Sequence, residues 1–235
     1  MDGMTGSGVV KSNGTDGGVA ERKREFRRQM RRKLADFCST ADGGGHRRAE
    51  RSAAAAAFLA SGLYRDAGEI FAYVALDCEP DVAEVIRRGL ADGKRAAVPK
   101  VLAADGRADA GRMEFFYVPP EADWEAQLLP GAFGIREPPD IWERADIGAA
   151  EQAAVLVPGL AFSADGARLG RGKGFYDRYF SPFRCRAPLE QQRAAFCGVC
   201  FSFQRAPDVP AEPHDLRMDW LLTEAGLERC ASRGR

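Results

Sequence analysis

The chain has no excess of either charge: lysine plus arginine and aspartate plus glutamate number 34 each in 235 residues. No net field draws it to nucleic acid or to an anionic membrane, so any anion it binds must be held by a local cluster of cations. No apolar run approaches the roughly 20 residues that span a bilayer. The N-terminus also lacks the apolar segment of a signal peptide, and a cytoplasmic protein without membrane contacts is expected. Six cysteines at irregular spacing are too few for the disulfide scaffold of a small secreted domain. Cys197-Gly-Val-Cys200 has half the spacing of a zinc site, but no second pair or nearby histidine accompanies it. In a strand-like run, positions three apart face opposite sides, so buried thiols are expected. There is no internal repeat. Neither common phosphate fingerprint is present: Lys173 is followed by Gly174 rather than Ser or Thr, and Gly170, Gly172 and Gly174 are wrongly spaced for a dinucleotide loop.

What is present is an ordinary globular balance, with 45% hydrophobic and 29% charged residues, at a length that suits one domain with a full core. Residues 1–19 are rich in Gly, Ser, Thr and Asn and are expected to form a disordered tail, which puts the domain at 20–235. From about Ala20 to Phe37, the residues Phe26, Met30, Leu34 and Phe37 recur at helical spacing. Lys23 falls inside that apolar stripe and Arg27 on its border, so both cations face the protein. For Lys23 two readings stay open: a stem packed on the stripe with its ammonium reaching for water, or a cation kept for an anion. Arg24, Arg28, Arg31 and Arg32 fall on the solvated side.

An Ala-rich second helix runs to Ala60, and Glu69–Leu76, Pro80–Ala91 and Ala96–Val101 then read as strand, helix and strand. Their spacing is that of a βαβ unit with parallel strands. Further strands are expected at Arg112–Val118, from Val155, at Ala194–Phe203 and at the Asp219–Thr223 end; Phe183–Gln192 is polar and reads as a surface connection. The fold class is therefore α/β: a single domain with a mostly parallel central sheet and helices on both faces, an open Rossmann-like arrangement. Ligands in such sheets collect at the carboxyl ends of strands, where Glu79, Lys100 and a glycine-rich loop after Val155 all fall. Glu79, just before Pro80, reads on its own more readily as a helix-start residue.

The most informative stretch is Val155 to Phe180, which reads as strand, anion-binding loop and helix start. Gly170, Gly172 and Gly174 stand at alternate positions and allow positive φ and close approach of the backbone to a ligand. Arg168, Arg171 and Lys173 add three cations whose donors suit phosphate oxygens. Asp177 is a hard oxygen ligand of the kind Mg2+ takes beside nucleotide phosphates. Either a nucleotide-phosphate site or a solvated basic loop has this composition.

These residues carry a resemblance. Pro158-Gly-Leu-Ala-Phe162, followed by Asp165-Gly-Ala-Arg-Leu-Gly-Arg-Gly-Lys-Gly-Phe-Tyr-Asp177, resembles the signature of the 5-formyltetrahydrofolate cyclo-ligases. The likeness runs from about residue 22 to 226. It implies an ATP-dependent carbon-nitrogen ligase of folate one-carbon metabolism. ATP would phosphorylate the formyl oxygen of 5-formyltetrahydrofolate, N10 would attack the activated carbon, and 5,10-methenyltetrahydrofolate, ADP and phosphate would leave.

By the same resemblance, Lys23, Arg27, Arg168, Leu169, Gly170, Arg171, Gly172, Lys173, Gly174 and Asp177 would bind ATP. Arg168, Arg171 and Lys173 would act in the transfer, and Asp177 would hold Mg2+. Glu79, Phe133, Phe175 and Tyr176 would position the folate. Phe133 lies in Gly131-Ala-Phe-Gly-Ile-Arg-Glu-Pro138, which resembles the family's G-I-x-E-P segment beside the folate pocket, although a plain loop anchor has the same composition. Phe175 stands where relatives more often have Tyr, and Asp77-Cys78 where small residues are usual. His214 with Asp215 reads as loop-fixing rather than catalytic, since adjacent residues rarely point at one another.

The competing class is a nonenzymatic phosphate- or RNA-binding module. Zero formal net charge and the absence of a broad basic face with aromatic platforms argue against RNA. The expected partners are therefore two small molecules, the folate and ATP, with neither nucleic acid nor membrane, and a monomer is expected.

Overall fold

A computed structural model describes residues 16–39, 45–104, 107–120, 123–186 and 193–231. In chain order the helices are α1 (Asp16–Ser39), α2 (Gly45–Leu59), α3 (Gly62–Asp66), α4 (Ala83–Ala91), α5 (Trp124–Gln127) and α6 (Phe175–Arg186). The first six strands are β1 (Glu69–Phe71), β2 (Arg95–Ala104), β3 (Arg107–Tyr117), β4 (Leu129–Pro130), β5 (Arg136–Glu137) and β6 (Arg144–Ala145). The second six are β7 (Ala153–Pro158), β8 (Ala161–Phe162), β9 (Arg168–Leu169), β10 (Ala194–Val199), β11 (Trp220–Thr223) and β12 (Gly226–Arg229).

An eight-stranded sheet has the order β12-β11-β10-β7-β1-β2-β3-β6. Its central strands, from β11 through β10, β7 and β1 to β2, run parallel, as the βαβ reading requires. Antiparallel strands are added at both edges. The five-residue apolar run at the start of β7 is buried throughout, as in a strand covered on both faces. Alternate side chains sort to the two faces: Ala154, Leu156 and Cys197 meet α2 and α4 on one side, while Val155, Val157 and Cys200 meet α6 on the other. The two cysteines of the CxxC run are therefore buried thiols on opposite faces. A third cluster packs Met30 and Leu34 of α1 on Leu160, Leu169 and Val209.

The sheet turns outward in opposite directions from β1 and β7: β1 leads through α4 to β2 on one side, and β7 leads to β10 on the other. Such a switch of direction opens a crevice at the strands' carboxyl ends. The segment after β1 carries Glu79 and the segment after β7 carries the glycine loop, so the topology brings them together.

Several boundaries differ from expectation. The α1 helix opens at Asp16, not at about residue 20, and residues 1–15 of the expected tail lie outside the described residues. The β1 strand ends at Phe71 rather than Leu76; only Ala72 still donates to the Ala97 carbonyl before the chain leaves the sheet. The α4 helix starts at Ala83 rather than Pro80, because Asp81 Oδ1 accepts the Ala83 N–H and holds an intervening turn. Lys100 lies inside β2, not at its end, and donates to Asp140 at 2.6 Å. Part of the expected surface connection belongs to α6, which runs to Arg186; residues 187–192 lie outside the described residues. Among the described residues no helix is long and apolar enough to cross a membrane.

Candidate active site

The stretch after β7 is not one open loop. Ala161–Phe162 and Arg168–Leu169 pair as a small antiparallel hairpin, and only Gly170 to Gly174 remain as the loop proper. Gly172 and Gly174 take positive φ, 102° and 66°, whereas Gly170 does not. The left-handed turn at Gly174 launches α6, which is fixed by its aromatic face: Phe180 is fully buried, with its ring centroid 5.5 Å from that of Phe115 and 5.2 Å from that of Phe196. Burial of one such side chain stabilises by about 1.5–3 kcal/mol. Asp177 thereby sits in the first turn of α6, where a negative charge is favoured by the helix dipole.

The three cations of this stretch have different surroundings. Arg168 is buried; its Nη2 donates to Asp177 Oδ1 at 2.8 Å and its Nη1 to the Pro158 carbonyl at 3.3 Å. Its Nε has no acceptor among the described residues. Arg171 directs Nε and Nη2 at one oxygen of Glu79, at 3.1 and 2.7 Å. Lys173 is exposed, makes no ion pair among the described residues, and holds its ammonium 5.2 Å from the centre of the Phe133 ring. Leu169 faces away from the loop: its side chain is in the core beneath α1, and its carbonyl accepts from Leu160.

Asp177 Oδ1 also accepts the Leu216 N–H at 3.0 Å, and Oδ2 takes no protein donor among the described residues. Burial pushes this carboxyl's pKa up, but the Arg168 charge and the two hydrogen bonds outweigh it and hold it below the usual carboxylate range.

From α1, Lys23 turns inward as its place in the apolar stripe requires and is only 7% exposed. Its ammonium donates to Glu212 and, at 2.7 Å, to Asp215. Burial pulls its pKa down, while the bonds to Asp215 and Glu212 overcompensate, so it stays charged. Arg27 Nε donates to the Gly170 carbonyl at 3.0 Å. Arg31, expected to be solvated, is exposed but reaches the Arg171 carbonyl at 2.9 Å. Arg24 and Arg28 pair with Glu21 and Glu25 on the outer face.

Glu79, 6% exposed, is held from several directions. Its Oε2 accepts the Leu76 N–H, and Arg51 of α2 donates to the Glu79 and Leu76 carbonyls at 2.9 and 3.2 Å. Tyr73 closes the following step with a 2.7 Å bond to the Pro80 carbonyl. A disulfide joins Cys78 to Cys38 near the end of α1.

On the facing side Phe133 is 48% exposed, with its ring 6.0 Å from that of Phe175. Its backbone is left-handed, at φ 58°, ψ 22°, a conformation that costs a non-glycine residue on the order of 1–3 kcal/mol. Tyr176 packs beneath the Arg168 guanidinium, and burial followed by the Glu79 charge raises its pKa.

The fold thus gathers Lys23, Arg27, Glu79, Phe133, Arg168, Arg171, Lys173, Phe175, Tyr176 and Asp177 around the loop. Sequence reasoning missed the acids that hold Lys23, which lie almost two hundred residues away in sequence; a buried lysine was the one signal that such partners had to exist. Glu212, His214 and Asp215 have ligand atoms within 4.8 Å of one another, a spacing that could hold a metal ion, but the Lys23 ammonium already bridges the two acids. His214 is exposed and its Nε2 lies 3.8 Å from Glu212.

Residues 19–224 match the model of the 5-formyltetrahydrofolate cyclo-ligase family. The 5-formyltetrahydrofolate cyclo-ligase of Mycolicibacterium smegmatis is 34% identical over 168 residues, which are 69% of this chain and 77% of that one. The enzyme of the same name from Mus musculus is 27% identical over 169 residues, 71% of this chain and 78% of its own. Among solved structures, that of Aquifex aeolicus 5,10-methenyltetrahydrofolate synthetase superposes with a TM-score of 0.66 at 27% identity, covering 91% of this chain and 94% of that one.

Proposed function

The chain belongs to the 5-formyltetrahydrofolate cyclo-ligase family, and from that premise we propose that it converts 5-formyltetrahydrofolate and ATP to 5,10-methenyltetrahydrofolate, ADP and phosphate at the crevice between β1 and β7. The observation that carries the reading is the pairing of Arg171 with Glu79. It joins a loop suited to phosphate with a buried acid suited to the N–H groups of a pterin, at the carboxyl ends of neighbouring parallel strands.

The chemistry explains the composition. A formyl oxygen on nitrogen is a poor leaving group, and transfer of the γ-phosphoryl group to it makes a good one. N10 of the same substrate then attacks the formyl carbon, loses its proton, and the C–O bond breaks to release phosphate. Because substrate supplies the nucleophile, the protein needs no catalytic triad. Its task is to hold the two substrates in line and to stabilise charge that spreads over the phosphoryl oxygens.

Lys173, exposed and without an ion-pair partner among the described residues, is the cation best placed to meet those oxygens, with Arg171 beside it once the triphosphate draws it from Glu79. Lys23 and Arg27 approach the loop from α1. Arg168 acts mainly by fixing Asp177, and its unsatisfied Nε is a donor left over for a ligand. Glu79 would hydrogen-bond the folate, and Phe133 and Phe175, with Tyr176 below, would line its ring.

The residues fit Mg2+: Asp177 is ionised, partly open, and has one oxygen uncommitted. A metal ion held there would neutralise charge on the triphosphate. A nonenzymatic RNA-binding role gains no support from the site, since Arg171, Lys23, Arg24 and Arg28 are each matched to a carboxylate. A cytoplasmic monomer is the expected form, and light scattering on a sizing column checks the second part. The activity itself is tested by the absorbance of methenyltetrahydrofolate: it should rise only when folate, ATP and Mg2+ are all present, and a rise without ATP, or none with it, would refute the proposal.

A further inference from the structure

Glu137 is 6% exposed, and the phosphoryl-transfer chemistry does not use it. It lies in β5, the return strand of the small β4–β5 hairpin whose tip is Phe133. Its Oε1 accepts the Val101 N–H of β2 at 3.2 Å. One side chain therefore ties the hairpin to the main sheet.

The space for it is made by Gly131. A Cβ there would collide with both Cγ and Cδ of Glu137, so the carboxylate group lies directly against bare backbone. Phe133 follows two residues later and is the only non-glycine residue with positive φ among the described ones. Its ring is half exposed and meets Lys173 at 5.2 Å and Phe175 at 6.0 Å, so close side-chain packing does not hold the strained backbone. The anchors are the Gly131 N–H to Ile135 carbonyl bond at 2.9 Å, the Ile135 N–H to Ala132 carbonyl bond at 3.1 Å, and the Glu137 carboxylate at their base.

We infer that Glu137 is a positioning residue for the folate subsite: by packing on Gly131 and bonding Val101 it holds the hairpin against β2, and so sets the place of the Phe133 ring opposite Phe175 and Lys173. The inference rests on the folate reading of that site. Its consequence is specific. Loss of Glu137 weakens binding of the folate ring through Phe133 alone, leaving ATP binding and the transfer step intact, because no cation of the glycine loop touches Glu137.

The test is a double-mutant cycle of Glu137→Met, which keeps the side-chain length but removes both acceptor oxygens, with Phe133→Ala. Glu137→Met is expected to raise KM for 5-formyltetrahydrofolate about tenfold, with kcat and KM for ATP within about threefold of wild type. In the Phe133→Ala background the same change is expected to add less than about twofold. Equal effects in both backgrounds, or an unchanged folate KM, would overturn the inference. If Phe133→Ala alone leaves the folate KM unchanged, the folate reading of this face fails instead. Should Glu137→Met not give a cooperative melt, Glu137→Gln takes its place in the cycle. With one carbonyl oxygen it keeps one acceptor, and the expected rise is at least about threefold with Phe133 in place and absent in the Phe133→Ala background; additivity overturns the inference there too.

Discussion

Arg171 and Glu79 meet at 2.7 Å, with two guanidinium donors on one carboxylate oxygen. The cation suited to a phosphate and the acid suited to the pterin therefore satisfy each other. On the proposed reading, a triphosphate that takes Arg171 would release Glu79 for the folate, and the converse would hold by linkage. A non-hydrolysable ATP analogue is expected to tighten 5-formyltetrahydrofolate binding by at least about fivefold, the lower end of typical coupling between sites. In Glu79→Gln the gain should vanish. Calorimetric titration with and without the analogue reads this directly, and equal folate affinities in wild type would show that the pair is not a coupling element.

Lys173 is exposed and makes no ion pair among the described residues, so its removal should leave the fold intact while withdrawing charge from the phosphoryl oxygens. Lys173→Ala is expected to lower kcat at least about tenfold, since a lost transition-state contact costs about 3 kcal/mol. Its melting temperature should stay within a few degrees of wild type. Wild-type turnover would remove Lys173 from the chemistry.

Phe175 lies beside Phe133 with the two rings tilted, and it carries no hydroxyl. Phe175→Tyr adds a donor at the rim of the folate face, and the expected result is a lower KM for 5-formyltetrahydrofolate with kcat little changed. An unchanged KM would mean that no acceptor lies within reach of that position.

The depressed pKa of Asp177 gives a pH signature. A carboxyl whose folded pKa lies below its unfolded value, about 3.9, contributes stability above that value and loses it as pH falls through the folded one. Thermal melts of wild type and Asp177→Asn should therefore differ at about pH 7 and converge below about pH 4, the variant being the less stable at neutral pH. A gap that persists unchanged to about pH 3 would mean that the Arg168 pair does not stabilise the ionised carboxylate.

Local pattern made much of this site legible. The inward turn of Lys23 follows from helical spacing, the glycine loop from its composition, and the place of Glu79 from the strand that precedes it. What was hidden depended on contacts between distant segments. Arg168 looks in sequence like a free phosphate ligand, yet the hairpin made by β8 and β9 buries it against Asp177. Two-residue strands are too short to leave a period. The core position of the Leu169 side chain and the bond from Arg31 to the Arg171 carbonyl were hidden for a similar reason, because the side of α1 that meets the loop is decided by tertiary packing. Glu137 gave no signal beyond its motif, since its burial depends on the bare backbone of Gly131.

The central claim is that the γ-phosphoryl group of ATP is brought to the formyl oxygen. It is tested most directly with 5-formyltetrahydrofolate carrying oxygen-18 in the formyl group, by mass analysis of the phosphate released in one turnover. The account predicts one oxygen-18 in each phosphate formed. Unlabelled phosphate, with the label lost to water, would contradict it.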